Sequence, residues 1–308
     1  MTSIVFPGQG SQVLGMAKDF NDNFKISNEI FEEIEDYTNI NIRKITFFNN
    51  DNKLDLTKFT QICIFSTSYV IFRTFCIENN FNEKDISVML GHSLGEYTAL
   101  ACSNKISLKD CCLILKKRGD LMSNAVTPNK TGMAALIGQD AGSIKEIIDK
   151  NNLNLEIAND NSGIQIVVSG NIDDLKNSKE LFLTNQVKKF ILLNVSAAFH
   201  SKYMFNAQEE LSKEIEKLNF KENDIKIISN YDAKIYKDNL LIKKNLQNQM
   251  ASRVNWTQSI KKLEEIGESK IIEIGPGKVL SGLIKRISNN FDIISIDKVS
   301  DIKLNEKI

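Results

Sequence analysis

Residues 86–101, ISVMLGHSLGEYTALA, place a serine where it could act as a nucleophile. The apolar residues before Gly91 predict a buried strand, and the residues from Glu96 onward predict a helix. Between them, GHSLG at 91–95 matches the G-x-S-x-G nucleophile elbow in its required order of strand, tight turn and helix. Such a turn exposes the serine Oγ at the end of the strand, where the helix also points its free N–H groups. The pattern therefore predicts a nucleophile at Ser93.

The chain contains only two histidines, His92 and His200, that could activate this serine. Adjacent side chains diverge on a tight elbow, so His92 is poorly placed to act on Ser93. A serine nucleophile needs a general base, which is most often an imidazole. A lone histidine is more often structural, but the composition leaves no other imidazole. We therefore expect His200, in VSAAFHS at 195–201, to be the general base.

A glycine-containing loop, PGQGSQ at 7–12, follows a short predicted strand at 4–6. Backbone N–H groups in such a loop can face a negative oxygen. Two interpretations stay open: half of an oxyanion hole with the N–H of Gln9 as donor, or an ordinary turn between a strand and a helix. A dinucleotide-binding fingerprint is disfavoured, because Val13 stands where that motif needs its third glycine.

Strands and helices alternate along most of the chain, which predicts an α/β fold with a mainly parallel sheet flanked by helices, a hydrolase-like core. Residues 132–194 differ, because they predict the order β-α-β-β-α-β of a ferredoxin-like unit. The ends of that unit lie close together, as an inserted subdomain requires. We expect a large catalytic subdomain at 1–128 and 197–308, with a ferredoxin-like α+β subdomain inserted at 129–196. The insert would form one wall of a cleft whose other wall carries Ser93.

Helical patterns occupy three stretches around the elbow. Residues 19–48 are amphipathic and highly charged, as on a solvated outer layer. Residues 60–78 are apolar on nearly every face, which predicts a buried helix beside the elbow strand. Residues 108–122 predict another helix, with Arg118 near its end.

The composition narrows the class of protein. Lysine plus arginine equals aspartate plus glutamate, 39 each, so the formal net charge is zero. The chain therefore has no overall positive charge that would attract nucleic acid or an anionic membrane. The start lacks the pattern of a signal peptide, and no stretch approaches 18 consecutive apolar residues. The five cysteines are an odd number without a C-x-x-C pair, which favours free thiols in a reducing cytoplasm. With two histidines there is no zinc-like ligand cluster, and we expect no metal.

Several segments together resemble the malonyl-CoA:acyl carrier protein transacylases of type II fatty-acid synthesis. They occur in the order of that family and cover nearly the whole chain. The matching segments are FPGQGSQ at 6–12, GHSLGEY at 91–97, KKRGDLM at 116–122, TGMAALIG at 131–138, NDNSGIQIVVSG at 159–170, VSAAFHS at 195–201, VNW at 254–256 and EIGPGKVLSGLIKRI at 273–287.

The resemblance implies catalytic roles for residues in these segments. Ser93 and His200 would form a dyad, with the histidine oriented by the main-chain carbonyl of Gln249. The backbone N–H groups of Gln9 and Leu94 would form the oxyanion hole.

The resemblance also implies a set of substrate-binding residues. Arg118 would bind the free carboxylate of a malonyl group, and Gln61 would line the acyl pocket. Asn159 and Asn161 would face the substrate from the small subdomain. Phe199, one residue before the histidine, resembles malonyl-selective rather than methylmalonyl-selective members.

The implied reaction transfers a malonyl group from malonyl-CoA to the phosphopantetheine thiol of holo acyl carrier protein. It would proceed through a malonyl-serine ester with ping-pong kinetics, in the cytoplasm, as a monomer and without a cofactor. A trans-acting acyltransferase of a polyketide synthase stays open as an alternative. A serine esterase or thioesterase is less favoured, because α/β-hydrolases place their histidine near the end of the chain and 108 residues follow His200. A non-catalytic carrier-binding subunit is also disfavoured. Such a subunit would be expected to lack Ser93, His200 or Arg118, and all three are present.

Overall fold

The apolar run before Ser93 forms a strand inside a mainly parallel sheet, as predicted. The structure is a computed structural model and describes residues 2–127 and 129–304, apart from the side chains of Glu83, Lys303 and Leu304. Its strands are β1 Thr2–Phe6, β2 Ile86–Gly91, β3 Thr131–Ile137, β4 Leu155–Ser162, β5 Gln165–Asn171, β6 Lys189–Leu192, β7 Lys226–Ile228, β8 Ile235–Tyr236, β9 Lys270–Ile274 and β10 Asp292–Ile296. Its helices are α1 Lys18–Asn23, α2 Lys25–Thr38, α3 Ile42–Phe47, α4 Thr57–Glu78, α5 Leu94–Cys102, α6 Leu108–Asn124, α7 Ala141–Lys150, α8 Ile172–Thr184, α9 Phe205–Glu216, α10 Asn239–Asn248, α11 Trp256–Glu265, α12 Val279–Ile287 and α13 Val299–Leu304.

The larger sheet has the strand order β10-β9-β1-β2-β7-β8. Its neighbours pair in parallel except for β7 and β8, which are antiparallel. The register of the central pair places Phe6 beside Gly91, so β1 and β2 end at the same edge. The loop that contains Gln9 therefore lies next to the elbow that contains Ser93.

The smaller sheet is antiparallel, with the order β4-β5-β3-β6. With helices α7 and α8 it has the topology of a ferredoxin-like unit, which confirms the predicted fold class. Ala134 and Leu136 of β3 face a core shared with those two helices. Met133 and Ala135 alternate with them and join the core of the larger subdomain. The predicted ends at residues 1, 128 and 308 lie outside the described residues, and the boundaries within the chain stay a prediction.

Helix α4 forms the centre of the larger core. It is long and apolar enough to cross a membrane, but 83% of its most apolar 18-residue window is buried inside the structure, as in a core helix. The prediction of a buried helix here is confirmed.

Other helix predictions need correction. The stretch 19–48 is divided among α1, α2 and α3, because Phe24 is extended and Asn39 adopts a left-handed backbone. Helix α11 was not predicted, although Trp256, Ile260 and Leu263 repeat at helical spacing and are buried. The short strand β8 and the terminal helix α13 were not predicted either.

The two elbow glycines are required by close backbone contacts. A Cβ on Gly91 would clash with the backbone of Gly95, and a Cβ on Gly95 would clash with the carbonyl oxygen of Phe6. The strand, the turn and helix α5 therefore approach one another more closely than any side chain would allow.

We predict that Gly95→Ala destabilises the fold by about 3 kcal/mol or more, because backbone atoms cannot yield to an inserted methyl group. Gly282→Ala is the matched control, since a Cβ on Gly282, in α12, would meet nothing within 4 Å beyond its own helix. That control should raise the free energy of unfolding by about 0.5–1 kcal/mol through helix propensity. Urea unfolding of the two variants checks both values, and equal effects would contradict the requirement for close approach at the elbow.

Candidate active site

Ser93 lies at the tip of the elbow in a strained backbone conformation. Its φ of 54° and ψ of −108° are unfavourable for a residue with a side chain. Three hydrogen bonds hold the turn: Ser93 N donates to Asn230 Oδ1 at 2.6 Å, Gln249 Nε2 donates to Ser93 O at 2.9 Å, and Asn230 Nδ2 donates to Gly91 O at 2.7 Å. The side chains of Asn230 and Gln249 therefore stabilise the conformation that exposes Ser93 Oγ.

His200 contacts the serine hydroxyl directly. Its Nε2 lies 2.9 Å from Ser93 Oγ, and its Nδ1 lies 3.2 Å from Gln249 O and 3.0 Å from Ser252 O. Carbonyl oxygens only accept, so Nδ1 carries the hydrogen and Nε2 presents its lone pair to the serine. The structure thus places the Gln249 carbonyl where the resemblance implied, and it adds the carbonyl of Ser252, which lies nearer to the ring.

The environment of His200 keeps its imidazole neutral. The ring is buried, and burial together with the nearby positive charge of Arg118 lowers its pKa to about 3. A neutral imidazole whose Nε2 faces a serine hydroxyl can accept the serine proton. The pair can therefore generate a serine nucleophile at neutral pH.

Arg118 extends from α6 into the site and is 1% exposed. Its Nη1 donates to Gln61 Oε1 at 2.6 Å, and its Nη2 donates to Ser93 Oγ at 3.0 Å and to Gln249 Oε1 at 3.1 Å. Its Nε has no hydrogen-bond partner among the residues that the structure describes, and its guanidinium lies 5.3 Å from the ring centroid of Tyr97. Burial lowers the pKa of this guanidinium, yet within 2–127 and 129–304 no carboxylate forms a salt bridge with it. The site thus holds a buried positive group without a carboxylate partner in the described part of the chain.

A cleft opens above Ser93. The predicted oxyanion residues Gln9 and Leu94 both line it. Leu94 is the first residue of α5, so its N–H has no partner four residues earlier within the helix. The remaining wall comes mainly from the small subdomain and the chain that leaves it. The other lining residues are His92, Ser93, Arg118, Met122, Met133, Asn159, Leu193, Val195, Phe199 and His200.

Two predicted substrate residues do not line this cleft. Gln61 lies behind Arg118, where its Nε2 donates to the sulfur of Met122 at 3.2 Å. Asn161 lies in an adjoining pocket that shares Gln9 and Asn159 with the cleft.

The second histidine contacts groups other than the serine hydroxyl. His92 Nε2 lies 2.7 Å from Asn161 Oδ1, and its ring centroid lies 5.7 Å from that of Trp256. Burial lowers the pKa of His92. The side chain therefore links the elbow to the small sheet.

Comparisons with known proteins show the family to which the chain belongs. Residues 4–303 match the family model of the acyl transferase domain. The chain is 35% identical to the malonyl CoA-acyl carrier protein transacylase of Bacillus subtilis over 98% of this chain and 95% of the relative. The chain belongs to this acyltransferase family.

Solved structures of relatives share the whole fold. The acyl-carrier-protein-S-malonyltransferase of Bartonella henselae superposes with a TM-score of 0.94 at 33% identity, covering 98% of this chain and 97% of that one. A malonyl-transacylase solved in complex with its type II polyketide synthase acyl-carrier protein superposes with a TM-score of 0.93 at 30% identity, covering 98% and 97%. The acyltransferase thus has the architecture of enzymes that load carrier proteins.

Three residues of the acyltransferase site were not predicted from the sequence. Asn230 and Ser252 follow no motif, because their contacts with the elbow and with His200 are made across long sequence separations. Glu96 lies inside the recognised GHSLGEY segment, but an acidic residue in the first turn of a helix is ordinary. The structure distinguishes Glu96 by its burial, which the sequence pattern does not show.

Glu96 is a second buried charged group of the site. Burial raises the pKa of its carboxyl to about 7, although hydrogen bonds from Gln249 and Asn230 and the charge of Arg118 act in the opposite direction. Asp232 adds a smaller upward effect. A carboxyl whose pKa is raised on folding stabilises the protein while it is protonated, and that stability is lost as pH rises towards the folded pKa.

We predict that Glu96→Gln changes how stability depends on pH. Between pH 4.5 and 8, the free energy of unfolding of the wild type should fall by about 3 kcal/mol relative to the variant, which has no proton to lose at this position. Urea unfolding of both proteins across this pH range checks the difference. A variant curve parallel to that of the wild type would show that the Glu96 pKa is not raised.

Proposed function

We propose that this acyltransferase moves a malonyl group from malonyl-CoA to the phosphopantetheine thiol of an acyl carrier protein. The observation that carries the choice of acyl group is Arg118, a buried guanidinium without a carboxylate partner among the described residues, 3.0 Å from Ser93 Oγ. A planar guanidinium binds a carboxylate through parallel N–H···O bonds, and a malonyl thioester carries a free carboxylate near its reacting carbonyl. The names of the relatives support the same substrate.

In the first half-reaction, the Ser93 hydroxyl attacks the thioester carbonyl while His200 Nε2 accepts its proton. The 2.9 Å separation and the neutral imidazole suit this proton transfer. The tetrahedral intermediate collapses by breaking the C–S bond, and His200 returns the proton to the coenzyme A thiolate. A malonyl ester on Ser93 remains.

In the second half-reaction, His200 takes the proton of the carrier's phosphopantetheine thiol as the sulfur attacks the ester. Breaking the C–O bond returns that proton to Ser93 and releases malonyl-carrier protein. Coenzyme A is released when the acyl-enzyme forms, and malonyl-carrier protein is released when the acyl-enzyme is consumed. This order of release gives ping-pong kinetics. The carrier complex of the polyketide relative supports an acyl carrier protein as the acceptor.

The developing oxyanion would be stabilised by the backbone N–H groups of Gln9 and Leu94. Both residues line the cleft beside Ser93, and Leu94 adds the positive end of the α5 dipole. Gln9 is fixed by its side chain, which donates to Thr57 Oγ1 at 3.1 Å. The loop after β1 is therefore tied to α4.

The direct test is intact-protein mass spectrometry after brief incubation with malonyl-CoA, beside a Ser93→Ala control. We expect one malonyl adduct that requires Ser93, persists in buffer and disappears when holo acyl carrier protein is added. An ester that is hydrolysed at the same rate with or without carrier protein would indicate a thioesterase. Carriers of fatty-acid and polyketide synthesis, compared as acceptors, decide between the two pathways.

We predict that Arg118→Ala lowers kcat/KM for malonyl transfer by 10²-fold or more, since two charged hydrogen bonds contribute about 1.5–3 kcal/mol each. Acetyl transfer should change far less, because an acetyl group has no carboxylate to bind. Rates of ester formation from the two acyl-CoAs give the ratio. Lys117→Ala, a neighbouring change on α6, is the control. Equal losses for both acyl groups would contradict the selectivity role of Arg118.

A further inference from the structure

Glu96 is a buried carboxylate that the proposed reaction does not use. It lies in the first turn of α5, three residues after Ser93, and is 1% exposed. One oxygen, Oε2, accepts hydrogen bonds from Gln249 Nε2 at 2.7 Å and from Asn230 N at 3.1 Å. These are the two residues whose side chains hold the strained backbone of Ser93.

Gln249 connects Glu96 to each reacting group of the site. Its Nε2 donates to both Glu96 and Ser93 O, and its Oε1 accepts from Arg118 Nη2. Its main-chain carbonyl accepts from His200 Nδ1. The amide of Gln249 must therefore point its oxygen towards Arg118 and its nitrogen towards Glu96.

Above its raised pKa of about 7, Glu96 is ionised, and an ionised carboxylate enforces that orientation because it can only accept hydrogen bonds. If the amide of Gln249 flipped, its oxygen would face the carboxylate and its NH₂ group would face the guanidinium of Arg118. Both contacts would then be repulsive. A neutral amide at position 96 could donate as well as accept, so it would remove one of these two repulsions and make the flipped state less unfavourable.

We propose that Glu96 is a positioning residue for acyl transfer, which fixes the amide of Gln249 and through it the geometry of Ser93 and Arg118. The inference rests on the proposed serine-ester mechanism and assigns the reason for burying a carboxylate behind the nucleophile. Glu96 does not line the cleft, so it acts through other side chains and not by touching substrate.

The experiment compares Glu96→Gln, Gln249→Met and the double variant in the full-length protein. Glu96→Gln keeps the shape and removes the charge, whereas Gln249→Met keeps the volume and the main-chain carbonyl but removes the amide. The first readout is the rate constant of Ser93 labelling by a fluorophosphonate, measured above the raised pKa of Glu96 and under conditions where circular dichroism shows each variant to be folded. The second is kcat and KM for malonyl transfer.

The control is Glu268→Gln. Glu268 is also a buried carboxylate, and it accepts hydrogen bonds from Ser3 and Ser87 near the beginnings of β1 and β2, at the far end of the strands that carry the site. Glu268→Gln should leave the rate constant of Ser93 labelling within twofold of that of the wild type.

We expect each single variant to lower the labelling rate constant and kcat at least tenfold, with KM for malonyl-CoA within threefold. The labelling rate constant of the double variant should lie within twofold of that of the slower single variant. Both changes remove the same interaction, the hydrogen bond between Glu96 and Gln249, so their effects should not multiply. Losses that multiply in the double variant would overturn the proposal, and so would a wild-type rate in either single variant. If Glu96→Gln does not fold, Glu96→Asp takes its place, because it keeps the charge but shortens the side chain that reaches Gln249. A tenfold loss of the labelling rate constant in Glu96→Asp then supports the proposal, and an unchanged rate constant in Glu96→Asp or in Gln249→Met overturns it.

The labelling readout separates this inference from the proposed function. A wild-type protein that reacts with the fluorophosphonate but transfers no malonyl group would contradict the proposed substrate alone. The effect of Glu96→Gln on labelling would still decide whether Glu96 positions the serine.

Discussion

The site depends on one constraint, the strained backbone of Ser93 at the turn between β2 and α5. A residue with a side chain adopts this conformation only where its surroundings enforce it. Here the flanking glycines allow the helix to approach the strands, and Asn230 and Gln249 hold both sides of the serine peptide unit. The serine is therefore presented by a network that joins the elbow to the loop after β7 and to the residue that follows α10. His200, which contacts the serine hydroxyl, also has a positive φ, of 56°.

Burial of charge is the second feature of the site, and it acts against stability. A buried guanidinium and a buried carboxylate lie near each other without a direct salt bridge among the described residues, and Gln249 stands between them. Burying ionised groups without full pairing costs free energy, and this cost is expected where a substrate supplies the missing partner. The same low-polarity surroundings and the positive charge of Arg118 keep His200 neutral. The surroundings that reduce stability thus keep the imidazole unprotonated, which is the state that the proposed proton transfer requires.

Much of this arrangement could be predicted from the sequence, and the rest could not for physical reasons. The elbow, the parallel sheet and the ferredoxin-like insert follow from local periodicity and from glycines at defined spacing, which one segment reveals by itself. The roles of Asn230, Ser252 and Glu96 depend on contacts across more than 50 residues, and their types are ordinary in the segments where they occur. Helix α11 has a regular burial pattern and was within reach of prediction, but it contains no chemical motif that marks it. Its Trp256 packs against His92, so it also supports the site.

The small subdomain forms one wall of the cleft above Ser93, and contacts with the larger subdomain hold it there. Strand β4 pairs with the loop before α11 through Asn159 and Val254, and Asn161 of the same strand contacts His92. The chain then leaves β6 and reaches His200 within eight residues, where Ser169 of β5 donates to the carbonyl of Phe199 at 2.6 Å. The main chain beside the histidine is thus held by the small sheet, whereas its imidazole is held by carbonyl groups of the larger subdomain, which also holds the serine. The 2.9 Å contact between Ser93 and His200 therefore depends on both subdomains, and a shift between the two sheets would alter the distance over which the proposed proton transfer would occur.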